Sequence, residues 1–349
     1  MTDLRAYAKI HCTLEALPGQ HRRNTRQIAG RALIVQHRPD PSTPVAQADT
    51  AHTSPRWYTH TYNRPAFYRL IALCAPLLPR PVRLRVAGAV ATVLRHGMPR
   101  EYTAVQRNLA RVLPTASARE VEQQAHAVFR HFAYVFADLL SLNRCTFSVQ
   151  QRYVHSVHGL EHLQAVLASP RGFVAATGHL GNWDLAGRLL STFGRTLHVL
   201  MAPEQDAALQ SFLRQRGEQT GLRFVTTDQP TVFVQLLTAL RHGEVVAVQT
   251  DRATGHRSDV LVPFFGAPVP FPLGPFKLAG AAQVPVLPCF CLMRPDQRYE
   301  IFFTAAIVVE RGHEERALQQ MVSVLERHVL KAPDQWCNFY DVWDTHLAV

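Results

Sequence analysis

Short apolar runs alternate with amphipathic stretches over the C-terminal two thirds of the chain. The apolar runs are typical of buried strands and lie at 172–177, 197–201, 244–249, 259–265, 284–292 and 299–309. The amphipathic stretches are typical of helices and lie at 117–142, 183–193, 206–216, 231–241, 274–282 and 314–330. This alternation predicts an α/β fold with a mostly parallel central sheet and helices on both of its faces.

Residues 64–111 have a different pattern, in which two apolar runs are broken by arginine and proline. The runs read FYRLIALCAPLLP and PVRLRVAGAVATVLRH. A membrane-spanning helix needs about 20 uninterrupted apolar residues, so the pattern predicts two short amphipathic helices with basic edges. Two interpretations are open: the helices lie in a membrane interface, or they pack on the domain with their arginines in solvent.

These patterns divide the chain into three parts. Residues 1–60 show neither a secretory signal nor periodicity, which predicts a disordered basic tail or linker. Residues 61–115 are predicted to be basic amphipathic helices that associate with a membrane. Residues 116–349 are predicted to form the α/β domain, whose first helix has Ser117 as its N-cap and Glu120 as the capping-box partner.

The composition adds a strong positive charge to this picture. The chain carries 37 Lys and Arg against 26 Asp and Glu, a net charge of +11, while a hydrophobic fraction of 47% excludes a wholly disordered chain. Nine arginines lie within 64–111 against the single acid Glu101. Such a balance indicates a polyanionic partner. Because no aromatic residues interleave with the basic ones and no recognition motif is visible, we favour anionic lipid and expect no nucleic acid.

The first candidate for chemistry is a histidine at the end of an apolar strand. His179 lies in a glycine-flanked turn, Asn182 is a good N-cap for the next helix, and Asp184 falls in the first turn of that helix. We expect Asp184 to fold back onto the imidazole and orient His179 as a general base. The spacing alone is weak, because composition predicts about one such match by chance, and His96 with Glu101 repeats it. A buried structural histidine is the alternative.

The second candidate is another strand end, where Asp251 and Arg252 follow an apolar run. Asp251 either steers a substrate or arginine, or simply caps the next turn. A run rich in Pro and Phe follows and contains Phe264, Phe265, Gly266 and Phe271. This run either lines a groove for an apolar ligand or is a buried loop at the sheet edge.

Together these motifs resemble those of bacterial lipid A biosynthesis acyltransferases of the lauroyl/myristoyl type. The sequence is also similar to mycobacterial phosphatidylinositol mannoside acyltransferases and to lysophospholipid acyltransferases. The resemblance covers roughly residues 64–345 and depends on GHLGNWD at 178–184, TDR at 250–252, VPFFG at 262–266 and PDQWCNFY at 333–340. Two features depart from the family pattern: the basic segment is too interrupted for the usual spanning helix, and the acid of the motif is Asp184 rather than Glu.

The resemblance implies a glycerolipid acyltransferase-like fold and an O-acyltransferase of the HX4D/E type. The acyl group would move from acyl carrier protein or coenzyme A to a hydroxyl of a glycolipid or lipid A-type acceptor, with no metal and no cofactor. His179 would be the general base and Asp184 would orient it. Substrate or oxyanion contacts would come from Gly178, Gly181, Asn182, Arg216, Asp251 and Arg252, and the acyl groove from Phe264, Phe265, Gly266 and Phe271.

The resemblance also implies peripheral attachment to the cytoplasmic face of the bacterial inner membrane. Two other classes of protein were weighed against it. A non-catalytic lipid-binding homologue would have the same sequence features. A serine hydrolase is disfavoured because the chain has no G-x-S-x-G elbow.

Overall fold

A seven-stranded sheet forms the centre of the molecule in the computed structural model, which describes residues 78–202, 222–255 and 258–344. The predicted tail, the first apolar run of the basic segment and the predicted helix at 206–216 lie outside these ranges. The strands are β1 (Val154–His158), β2 (Phe173–Thr177), β3 (Leu197–Met201), β4 (Leu222–Thr226), β5 (Val245–Gln249), β6 (Asp259–Phe264), β7 (Ala267–Pro272), β8 (Val286–Met293) and β9 (Tyr299–Phe303).

The sheet is mostly parallel, as the sequence pattern predicts. Its strand order is β1-β9-β8-β2-β5-β3-β4, while β6 and β7 form a separate antiparallel hairpin. Among the described strands of this sheet, only β8 and β9 pair antiparallel. The central strands β2 and β5 pair in register up to Thr177 and Gln249. Their carboxyl ends therefore open at the same edge of the sheet, where ligand sites of open α/β sheets lie.

Helices cover both faces of the sheet. Along β2, Val174 and Ala176 belong to one hydrophobic core and Phe173 and Ala175 to the other, as the two-residue period of a strand requires. The helices are α1 (Arg80–Leu94), α2 (Pro99–Val112), α3 (Ala118–Leu139), α4 (Phe147–Gln150), α5 (Leu160–Leu167), α6 (Trp183–Ser191), α7 (Val232–Arg241), α8 (Gly274–Ala282) and α9 (Glu314–Lys331). Helices α5 and α6 pack on one face, and α7, α8 and α9 pack on the other.

Three of the described strands, β1, β4 and β7, are not among those that the sequence pattern predicts. The sequence of β7, APVPFP, contains three prolines, which cannot donate a backbone hydrogen bond, and it lies in the run that the sequence analysis leaves open between a groove lining and a buried loop. Within the described ranges β7 pairs only with β6, and a strand with one open edge tolerates proline. At the turn, Phe265 and Gly266 have φ of 46° and 76°, the left-handed conformation that tight hairpins favour.

The basic segment contributes helices α1 and α2 to the described structure. Helix α1 buries Arg80, Leu84, Gly88 and Ala91 on one face. Arg80 was expected at a basic edge, but only 6% of it is exposed. It is buried because its guanidinium pairs with Asp138, which has no exposed surface. In the described ranges no helix is both long enough and apolar enough to cross a membrane.

The N-terminus of α3 contains the capping contacts that the sequence predicts. Ser117 Oγ accepts a hydrogen bond from Glu120 N, and the Glu120 carboxylate accepts one from Ser117 N, so the predicted capping box is confirmed. We expect Ser117→Ala to lower the free energy of unfolding by about 1 kcal/mol, because the backbone N–H of Glu120 loses its side-chain acceptor. Urea unfolding measures this. Ser117→Asp retains a capping oxygen and should unfold close to the unmodified protein; equal losses in both variants would contradict the capping role.

Candidate active site

His179 and Asp251 meet at the carboxyl edge of the sheet. Each follows the end of one of the paired central strands β2 and β5, so the sheet register brings them together. His179 Nδ1 lies 2.7 Å from Asp251 Oδ1, and the backbone N–H of His179 donates to Asp251 Oδ2 at 2.9 Å. The Asp251 side chain has no exposed surface, whereas 14% of the His179 side chain is exposed. The imidazole is thus held on one side and open on the other.

The second carboxylate oxygen of Asp251 is surrounded by N–H donors. Besides the His179 backbone, it accepts hydrogen bonds from Trp336 Nε1 and Asn338 Nδ2, both at 3.1 Å. Trp336 and Asn338 follow helix α9 on the segment that closes the site, and the Cys337 N–H donates to the carbonyl of His179 at 2.7 Å. A buried carboxylate with this many donors is stable in its charged form.

The pKa values of the pair follow from these surroundings. Burial lowers the pKa of His179 to about 4, and the nearby positive charge of Arg252 adds to this effect against the opposing influence of Asp251. Burial alone would raise the pKa of Asp251. Interaction with His179, the hydrogen bonds and Arg252 outweigh it, so the Asp251 pKa lies below its usual range. At neutral pH the pair is a neutral imidazole beside a carboxylate.

This charge state defines the chemistry available. An ionised carboxylate only accepts hydrogen bonds, so His179 carries its proton on Nδ1 and donates it to Asp251. The lone pair of Nε2 is then free to accept a proton. The Trp183 ring packs edge-on against the imidazole at 5.5 Å between centroids. The arrangement is that of a general base whose tautomer is fixed by a buried carboxylate.

Asp184 does not have the predicted contact with His179, and this expectation is wrong. Its carboxylate instead accepts hydrogen bonds from Arg188 Nε at 2.7 Å and from Asn143 Nδ2 at 2.8 Å. The physical reason is that Asp184 is already within helix α6, where the residue four positions later lies on the same side of the helix. Asp251, on the neighbouring strand, takes the position at the imidazole.

The glycine-rich turn is shaped by close packing. A Cβ at Gly178 would lie 2.9 Å from Leu325 Cδ1 and 3.2 Å from Asp251 Cγ, so a larger residue would push Leu325 and the carboxylate away by a few tenths of an ångström. Gly181 has a φ of 64°, and a Cβ there would overlap the carbonyl oxygen of Cys291. Asn182 is confirmed as the N-cap of α6, since its side chain accepts from Leu185 N.

The backbone N–H groups of this turn were expected to stabilise an oxyanion, but two of them are already used. Gly181 N donates to the carbonyl of Gln335 at 3.0 Å, and Asn182 N donates to that of Cys291 at 2.8 Å. These bonds join the turn to strand β8 and to the closing segment. Gly181 and Asn182 therefore build the site rather than offer free donors to a substrate.

The other predicted site residues have separate positions. Arg252 is bound to Asn338 Oδ1 and to the Cys337 carbonyl, both at 2.8 Å, and acts on His179 through its charge. Phe264 and Phe271 are 0% and 1% exposed and belong to the hydrophobic core. Phe264 packs 5.6 Å from Trp336, so the hairpin contacts the site, but an acyl groove there stays a prediction. Arg216 lies outside the described residues.

Four polar residues support the site although the sequence analysis did not identify them as site residues. Trp336 and Asn338 bind Asp251, and their only signal in the sequence was the motif PDQWCNFY at 333–340. Asn143 and Tyr299 both contact Asn182, although they are distant along the chain and lie in unremarkable segments. Only the folded chain identifies this second pair.

Comparisons with known proteins relate the chain to a family of acyltransferases. The model of the bacterial lipid A biosynthesis acyltransferase family matches residues 53–345. The phosphatidylinositol mannoside acyltransferase of Mycobacterium tuberculosis is 31% identical over 201 residues, which are 56% of this chain and 62% of that protein. The lipid A biosynthesis lauroyltransferase of Escherichia coli is 26% identical over 269 residues, 74% of this chain and 84% of that protein.

A solved structure is also similar at a lower level. The crystal structure of the 1-acyl-sn-glycerophosphate acyltransferase from Thermotoga maritima aligns with 74% of this chain and 100% of its own, with 13% identity and a TM-score of 0.35. The chain spans less than two thirds of the length of the mycobacterial relative, at 62%.

The charge state of His179 is directly measurable. We expect NMR titration, with the signal assigned by its loss in His179→Ala, to show His179 neutral at pH 6 and a pKa near 4. Arg252→Gln removes a cation that lowers this pKa, so the pKa should rise in that variant. An ordinary pKa near 6.5 in the unmodified protein, or no rise in Arg252→Gln, would contradict the electrostatic account.

Proposed function

The chain belongs to the bacterial lipid A biosynthesis acyltransferase family, and we propose that it transfers a fatty acyl group from an acyl thioester to a hydroxyl of a lipid or glycolipid acceptor. The observation that carries the proposal is the pair of His179 and Asp251, in which a neutral imidazole is held through Nδ1 by a buried carboxylate. Such a pair is suited to removing a proton from a hydroxyl group.

In the proposed mechanism Nε2 of His179 accepts the proton of the acceptor hydroxyl as its oxygen attacks the thioester carbonyl. A carbon–oxygen bond forms and gives a tetrahedral oxyanion. The carbon–sulfur bond then breaks, and the imidazolium returns the proton to the leaving thiolate. Asp251 stabilises the imidazolium between the two steps because its charge lies 2.7 Å from Nδ1. No residue of the protein carries the acyl group.

The names of the relatives guide the choice of substrates. We propose a glycolipid acceptor, such as a mannosylated phosphatidylinositol or a lipid A precursor, because the two enzymes described above act on these classes. The donor is a thioester of acyl carrier protein or coenzyme A, and an acyl carrier protein, being acidic, would complement the basic segment at 64–111. Lipid mass spectrometry of cells with and without the gene identifies the acceptor as a species lighter by one acyl group.

The dyad gives the sharpest activity test. We expect His179→Ala to lower kcat by about 10²–10⁴-fold, the usual contribution of a general base. Asp251→Asn should be comparably damaging for a geometric reason. Three N–H groups point at Oδ2, so the amide oxygen must occupy that position and the amide NH₂ must face Nδ1 of His179. The imidazole proton then moves to Nε2, which can no longer act as a base.

Asp184→Asn is the matched control in these assays. Because Asp184 contacts Arg188 and Asn143 rather than the imidazole, its substitution should leave the acid limb of the pH–rate profile unchanged. All variants are assayed with both thioester donors and a glycolipid acceptor. Full activity in purified His179→Ala would exclude the mechanism, and a complete lack of transfer by the unmodified protein would favour a non-catalytic lipid-binding role.

We further propose that helix α1 attaches the protein to the surface of an anionic membrane, at the cytoplasmic face of the inner membrane. The observation is a stripe of exposed valines: Val82, Val86, Val90 and Val93 are 38%, 51%, 46% and 71% exposed. Their spacing puts them on one side of α1, opposite the face that packs on the domain. The charge of this segment is strongly positive, which complements anionic headgroups.

The valine stripe can be tested with vesicles of phosphatidylcholine and phosphatidylglycerol. We expect Val86→Asp with Val90→Asp to lower the partition coefficient at least about tenfold, because each buried valine contributes roughly 1.5 kcal/mol. Sedimentation of the vesicles measures bound protein. Val308→Asp is the control, since Val308 is 74% exposed but far from α1 in sequence and on no helix. Unchanged binding by the double variant, or equal loss in the control, would refute this surface.

A further inference from the structure

We propose that a buried chain of hydrogen-bonded side chains fixes the orientation of His179 from helix α1, and that Arg80, Asp138 and Tyr299 are positioning residues for the reaction proposed above. The hydrogen-bonded chain runs from α1 through α3 and β9 to Asn182, the N-cap of α6. The inference rests on the proposed function for its activity measurement, whereas the contacts themselves are properties of the fold.

The hydrogen-bonded chain begins with a buried ion pair between Arg80 and Asp138. Arg80 Nη2 donates to Asp138 Oδ2 at 2.6 Å, and its Nε donates to Oδ1 of the same carboxylate at 3.0 Å. A third donor of Arg80, Nη1, binds the carbonyl of Gln297 at 2.7 Å, and the guanidinium lies over the Tyr153 ring. Two-pronged pairing of this kind fixes direction as well as distance, so Asp138 has one orientation relative to α1.

Tyr299 connects Asp138 to the turn that contains His179. Its hydroxyl donates to Asp138 Oδ2 at 2.6 Å and accepts from Asn182 Nδ2 at 3.1 Å. Burial and the neighbouring Asp138 raise the pKa of Tyr299 well above its usual value, so the phenol keeps the proton that this bond needs. Tyr299 has no exposed surface, which leaves the hydroxyl no water with which to exchange partners.

Asn182 joins the chain to the residues around the imidazole. Its Oδ1 accepts from Leu185 N at 3.0 Å as the N-cap of α6, and from Asn143 Nδ2 at 2.9 Å. The backbone donor settles which amide atom is the oxygen, so Nδ2 must point to Tyr299. Trp183, the next residue, packs edge-on against His179. A shift of Asn182 would therefore move the Trp183 ring against which the imidazole packs.

The hydrogen-bonded chain has a functional consequence at the end where it begins, in helix α1. Arg80 is the first residue of α1, the same helix that carries the exposed valines. The helix that we propose to lie on the membrane is thus connected by hydrogen bonds to the turn that bears His179. This link would keep the base in a fixed relation to a substrate presented from the membrane surface.

Tyr299→Phe is the cleanest test, because it removes one hydroxyl and keeps the buried ring. Tyr153→Phe is the matched control, since Tyr153 contacts Arg80 only through its ring. Four quantities are measured for each variant in the full chain: kcat and KM for acyl transfer, the NMR signal of the His179 imidazole, and the melting temperature. We expect Tyr299→Phe to lower kcat about three- to tenfold with KM unchanged and to shift the His179 signal.

Arg80→Lys provides a second and independent break, because lysine keeps the charge but loses the two-pronged pairing. Its effect on kcat should combine non-additively with that of Tyr299→Phe, since both interrupt one chain. Lower melting temperatures with unchanged kcat and an unchanged His179 signal would overturn the proposal and leave these residues a stabilising role. If the unmodified protein transfers no acyl group, the proposed function fails, and the His179 signal alone decides this inference.

Discussion

The site depends on one buried carboxylate, that of Asp251. A buried charge is tolerated only when its hydrogen-bonding capacity is filled, and this requirement explains much of the local structure. Oδ1 pairs with His179 Nδ1, while Oδ2 gathers three N–H donors from the turn after β2 and from the segment after α9. One side chain thereby joins two strand ends and the closing segment, and it sets the tautomer of the histidine.

The parallel sheet makes this meeting possible. In-register pairing of β2 with β5 brings the residues after both strands to one edge, and Gly178 leaves room for the carboxylate beside the turn. Both glycines of this turn meet a packing requirement, and the N–H of Gly181 is already used by the Gln335 carbonyl. The same edge is closed by Trp336, whose indole binds Asp251 on one side and packs against the β6–β7 hairpin on the other.

The sequence pattern predicted most of the central elements and both strand ends that form the site. Periodicity predicted β3 and α8 at their observed bounds. The caps at Ser117 and Asn182 could be predicted from the sequence because capping is a local interaction. Contacts between distant segments could not be predicted. The choice between Asp184 and Asp251 as the partner of His179 depends on strand order, which sequence spacing does not encode. Asn143 and Tyr299 were missed for the same reason. The edge strands β1 (VHSVH) and β4 (LRFVT) were missed because polar residues interrupt them, and β7 because its prolines are typical of a loop.

The central claim is that His179 is a neutral base whose Nδ1 proton is held by Asp251. The most direct measurement is ¹⁵N NMR of the imidazole at pH 7 in protein labelled at histidine, with the signals assigned by comparison with His179→Ala. The account predicts a neutral ring with the proton on Nδ1 and an unprotonated Nε2. A ring protonated on both nitrogens, or a neutral ring with its proton on Nε2, would contradict it.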